Sequence, residues 1–201
     1  MIGRLDCYAN VSSKDRLKSH VDRQKALVEY IFACALPPNT GDEYLILDPF
    51  VEFDEKVISA LNGGKEEREE NAYIWFLLQL GMLGEVIKVR LLSKKLPSRS
   101  LVRLDHKNIF LIPIESIDGR MEVHASYYSE RQLDESYSKL PRKLHDRWIL
   151  RITGDTVSGL HLGGSLTDIF SKDITITCFD DKTVKDAKQR FEDIWRYVSN
   201  E

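Results

Sequence analysis

His145, Arg147, Ser165 and Asp168 fall within one short stretch, LHDRWILRITGDTVSGLHLGGSLTDIFSKDITI, residues 144–176. Gly154-Asp155 separates two alternating runs and reads as a two-residue hairpin turn, with Gly154 free to take positive φ. Folding about it pairs Thr153 with Thr156 and, carried outward, sets His145 opposite Gly164 and next to Ser165. His145 and Arg147 are two apart on a strand, so both project to one face. Ser165 joins them only if the chain leaves the ladder at Gly163-Gly164, which adjacent glycines permit. A histidine, a guanidinium and a glycine-serine turn then converge at one end of one hairpin. A guanidinium forks two hydrogen bonds onto a phosphate. Lys139, Arg142 and Lys143 stand just before His145 and suit a positive rim that attracts a polyanion.

The segment resembles the phospholipase D superfamily. There the motif is H-x-K, an Asp shortly after, and G-S-x-x-N beyond the next strand. Here His145-Asp146-Arg147 stands for H-x-K, and Gly164-Ser165-Leu166-Thr167-Asp168 for G-S-x-x-N. Asp48-Pro49-Phe50, after an early strand, is similar to members that bring a strand-end acid to the site. The likeness is tight over residues 144–179, architectural over 43–143 and from 180 onward, and absent from 1–40. Three positions depart from the motif: Arg147 replaces the lysine, Ile152 occupies the spacing of the motif's Asp, and Asp168 replaces the Asn. This His-x-Arg form is similar to a divergent bacterial branch of the superfamily.

The resemblance implies phosphodiester cleavage without metal or other cofactor, through a covalent phosphohistidine on His145. Arg147 and Ser165 hold the non-bridging oxygens in that scheme, Asp168 orients a ring or donor, and Lys172 reaches the same phosphate. A second histidine protonates the leaving group, and one motif per chain implies a twofold homodimer. The rival expectation is a phospholipase D-like module without catalysis, acting as a nucleic-acid-binding or assembly subunit of a larger complex.

These residues need a scaffold, and the rest of the chain supplies one. Tyr44–Asp48 is a short apolar run suited to a buried strand. Helical patterns follow at about 55–61 and 66–83, then strands at 86–92, 109–114 and 122–125 and a polar, helical crossover over 131–140. After the hairpin come a strand at 174–179 and a helix at 184–198, whose Val184, Ala187, Phe191, Ile194, Trp195 and Val198 form one apolar face. The alternation predicts an α/β fold, a mixed central sheet flanked by helices over residues 41–201. Residues 1–40, with a helical period over 13–36, read as an N-terminal helical extension. Trp148 alternates away from His145 and is expected in the core.

Composition narrows the function classes. The 201 residues carry a net charge of −3, which announces no nucleic-acid binder by itself. Its distribution is more informative: Lys88–Lys107 holds seven basic residues against one acid. A solvated face is the alternative to a polyanion rim there. No run is long and apolar enough to span a bilayer, and Met1–Asn10 has no apolar signal region. Cys7, Cys34 and Cys178 are widely spaced and form no C-x-x-C pair, so a reducing, cytoplasmic compartment is expected. His20, His106, His124 and His161 lack metal-ligand spacing and are expected to be structural or on the surface. Gly163–Thr167 lacks the last glycine and the strand-to-helix setting of a hydrolase elbow. DNA or RNA is therefore favoured over lipid as the substrate, with no membrane partner.

Overall fold

The computed structural model describes residues 9–11, 30–32, 36–51, 53–55, 58–59, 77, 87–94, 102–103, 108–116, 119–128, 147–164 and 174–199. Nine strands form one mixed sheet among them. They are β1 (Ala9–Val11), β2 (Glu43–Leu47), β3 (Lys88–Ser93), β4 (Val102–Arg103), β5 (Phe110–Ser116), β6 (Gly119–Tyr127), β7 (Trp148–Thr153), β8 (Thr156–Leu162) and β9 (Ile174–Cys178). The helix α1 (Asp181–Ser199) follows. Across the sheet the order is β1-β9-β8-β7-β2-β3-β6-β5-β4. The β2–β3 and β3–β6 pairs are parallel, and β7 runs antiparallel to β2. The carboxyl ends of β2, β3 and β6 therefore share an edge with the start of β7. Ligands of open α/β sheets bind outside such carboxyl ends.

Both faces of the central strands are covered, which is why β2 reads as an unbroken apolar run. Leu45 and Leu47 pack with Trp148, Leu150 and the apolar face of α1. Tyr44 and Ile46, on the other face, are fully buried too. The Tyr44 hydroxyl donates to the Leu36 carbonyl at 3.0 Å, so the chain before β2 covers that side. Burial pushes this phenol above its ordinary pKa and keeps it a donor.

Helix α1 starts where Asp180 caps it, its Oδ1 accepting from the Thr183 N–H at 2.7 Å. Val184, Ala187, Phe191, Ile194, Trp195 and Val198 are all buried, as their spacing predicts. Each large side chain among them contributes roughly 1.5–3 kcal/mol by leaving water. Gly159 of β8 lets the helix approach. A Cβ there would stand 2.5 Å from Leu150 Cδ2 and 3.0 Å from Val184 Cγ2.

Two charged networks tie this frame together. Arg90 donates to Glu43 Oε1 at 2.7 Å and forks onto Glu192 of α1 at 2.8 and 2.6 Å. Its guanidinium also lies over Phe191 and Trp195, which stack at an interplanar angle of 12°. Burial alone would lower the Arg90 pKa, but the bonds to Glu192 and Glu43 outweigh it and hold the pKa up. At the same amino-terminal end of β2, Asp42 is 1% exposed and accepts from Arg151 Nε, Thr153 Oγ1 and the Asn39 N–H at 2.6, 2.6 and 2.7 Å. This cluster locks β2 to β7.

Described residues on the amino side of position 40 also take part in the sheet and core. Residues 9–11 form an edge strand antiparallel to β9, and Ile31 and Leu36 are buried. The described parts of 1–40 thus belong to the same sheet and core as the rest. An edge strand of three residues is too short to show a period-2 pattern. The crossover expected at 131–140 lies outside the described residues.

Candidate functional site

Residues Thr153 to Trp148 pair with Thr156 to His161, the register that the Gly154-Asp155 turn predicts, and Gly154 takes a φ of +55°. One step beyond, the Leu162 N–H donates to the Arg147 carbonyl at 2.8 Å. Arg147 is thus the last described residue of that ladder. Strand β8 ends at Leu162, and residues 163–164 bend away. The Gly163 N–H donates to the Thr175 carbonyl at 2.8 Å. A Cβ at Gly163 would come within 3.2 Å of that same oxygen, so a glycine suits the bend.

From the other side, Leu47 lies opposite Trp148, which brings Asp48 alongside Arg147. The Asp48 carboxylate is 1% exposed, and its Oδ1 lies 3.8 Å from Arg147 Nε. That is an ion pair too long to be a hydrogen bond. Arg147 Nε is buried with no hydrogen-bond partner among the described residues. The guanidinium lies over the Phe50 ring, 4.5 Å from its centroid, on the sheet face turned away from α1.

A single turn of backbone holds these groups. The Phe50 N–H donates to Asp48 Oδ1 at 3.0 Å and the Val51 N–H to the Asp48 carbonyl at 3.4 Å. Ser93 at the end of β3 donates its hydroxyl to the Val51 carbonyl at 2.6 Å. The Lys94 N–H donates to the Pro49 carbonyl at 3.4 Å. The loop after β2 is thereby fastened to the end of β3.

Of the residues singled out in the sequence, Arg147, Asp48 and Gly164 lie along this carboxyl-end edge. His145, Ser165, Asp168, Lys172, Lys139, Arg142 and Lys143 lie outside the described residues. In the sequence His145 stands two residues before Arg147, and Ser165 directly follows Gly164. Phe50 was not singled out as a site residue. Its only signal is its position in the Asp48-Pro49-Phe50 sequence after a buried strand, and the ring's approach to Arg147 joins distant segments.

The basic run at 88–107 contributes less free charge than its composition suggests, because Arg90 is enclosed by Glu43 and Glu192. Trp148 is buried in the α1 core, as its alternation predicts. A cleft of about 340 Å³, lined in part by Trp148, His161, Phe179, Asp186 and Arg190, opens on that α1 face. The sheet separates it from the Arg147 side chain. Among the described residues no helix is long and apolar enough to cross a membrane.

No protein-family model, no curated protein and no solved structure matches this chain.

Proposed function

We propose that this chain is a metal-independent phosphodiesterase, a nuclease acting through a phosphohistidine on His145, with Arg147 and Ser165 holding the phosphate oxygens. One observation carries this reading. Arg147 sits at the carboxyl-end edge of the parallel strands, on the face away from α1, and its side chain keeps 16% exposure there. Through that exposed part the guanidinium donates to a phosphate oxygen. Asp48 behind it keeps the guanidinium oriented without using up its donors. The phospholipase D-like motif then provides the nucleophile two residues before Arg147 and the hydroxyl one residue after Gly164.

A second reading, a phospholipase D-like binding or assembly module without catalysis, draws on Ile152. That residue holds the spacing of the motif's acid and packs against the α1 core, so no carboxylate stands there. Assembly separates the two. An active form needs a second histidine, so sedimentation is expected to show a homodimer at working concentration, and a strict monomer leaves the leaving group without its acid. The rim supplies a further check. Changing Lys139, Arg142 and Lys143 to Glu is expected to weaken DNA or RNA binding, most of all at low salt. Fluorescence anisotropy across a salt series measures it, and binding without salt dependence in the parent protein counts against a polyanionic substrate.

A further inference from the structure

Phe50 is 42% exposed, while the other large apolar side chains of this loop and edge are buried, Val51 and Phe53 at 2% each. Chance solvation of one phenylalanine is unremarkable by itself. What sets Phe50 apart is its support. Its backbone N–H is fixed by Asp48, and Asp48 and Val51 on either side are buried and bonded. The guanidinium of Arg147 covers one face of the ring at 4.5 Å. An aromatic ring fixed before the ligand arrives loses little freedom on binding, and it touches the cation proposed to take the phosphate.

From this juxtaposition we propose that Phe50 is the platform on which a base of a single-stranded nucleic acid stacks, beside the phosphate held by Arg147. The inference rests on the phosphodiesterase reading of that site and adds the substrate's form. Stacking on an aromatic side chain next to a basic residue is the general means of holding single strands, and it needs no particular base because every base has a π-face. In a duplex the bases stack on one another and are closed to Phe50. The substrate class is therefore single-stranded DNA or RNA, or an unpaired end.

The test compares three probes by fluorescence anisotropy with the full chain: a labelled hexanucleotide, the same backbone with every base replaced by an abasic analogue, and a blunt duplex. Phe50→Leu keeps the apolar volume but removes the ring. It is expected to weaken binding of the hexanucleotide about 5- to 150-fold, the range of one stacked base, and to leave the abasic strand unchanged. Phe50→Trp is expected to retain hexanucleotide binding, which a merely structural role for the phenyl ring does not predict. Thermal melts of both variants check that the fold is intact. Equal losses on the hexanucleotide and the abasic strand, no loss on either, or parent affinity for the duplex matching that for the single strand each overturn the stacking role. Base-dependent binding with no hydrolysis of the hexanucleotide upholds the platform and removes the catalytic reading instead.

Discussion

His145→Ala is expected to abolish phosphodiester turnover, while the parent protein keeps its full rate in excess chelator. In a phosphohistidine route the imidazole forms the covalent bond to phosphorus, and no second nucleophile in the motif takes its place. In that proposed route Arg147 neutralises the phosphate charge and Ser165 donates a hydrogen bond to it, so removing divalent cations is expected to leave the rate unchanged. Ser165→Ala is expected to slow turnover by about 10²–10³-fold rather than stop it, the usual effect of losing one donor to a developing oxyanion. Single-turnover assays on a short single-stranded oligonucleotide, with and without chelator, measure all three. A parent protein that chelator inactivates, or a His145→Ala variant with parental activity, contradicts the mechanism.

The second large effect concerns stability. Asp42→Ala is expected to destabilise the fold by about 3–5 kcal/mol, the cost of breaking a buried ion pair from one side. The carboxylate carries three hydrogen bonds, and its removal leaves Arg151, whose side chain is 11% exposed, charged and without this partner. With its amide turned so that the oxygen faces the guanidinium, Asn39 accepts from Arg151 Nη2 at 2.6 Å, but a neutral amide does not replace the charge. Burial raises the Asp42 pKa, yet the bonds from Thr153, Asn39 and Arg151 outweigh it and hold the group below its ordinary 3.8. A carboxyl shifted down on folding contributes stability that is full above its unfolded value and is lost as pH falls through its folded value. Denaturant unfolding at a series of pH values is therefore expected to show a constant gap between parent and variant from neutrality to about pH 5, narrowing below about pH 4. A variant unfolding at the parent's midpoint at neutral pH contradicts this role.

Much of the frame was legible wherever a local pattern carries the information. Gly154-Asp155 gave the hairpin register, and the 3.6-residue spacing of Val184 to Val198 gave the buried face of α1. Strand β2 was visible as an apolar run, because a strand covered on both faces leaves a continuous signal, and parts of β3, β5 and β6 were expected at 86–92, 109–114 and 122–125. Edge strands β1 and β4 were not, since two or three residues hold no period. Nor could alternation show that β2 lies between β3 and β7, the arrangement that sets Asp48 beside Arg147. Arg90 misled composition for a related reason. Its partners Glu43 and Glu192 are 47 and 102 residues away in sequence, so a run of basic residues looked more solvated than it is. At the candidate site the motif spacing drew attention to Arg147 and Gly164, whereas the Phe50 contact depends on the crossing of two distant segments.

Trapping the covalent intermediate tests the proposed chemistry most directly. A single-stranded oligonucleotide labelled on its 5′ and 3′ sides is mixed with excess protein and quenched in alkali, where a phosphohistidine survives. Peptide mass spectrometry then locates any added nucleotidyl mass. The proposed mechanism requires that mass on His145, formed in the presence of chelator and absent from His145→Ala. Turnover with no adduct on His145 at any quench time, or an adduct on another residue, contradicts it.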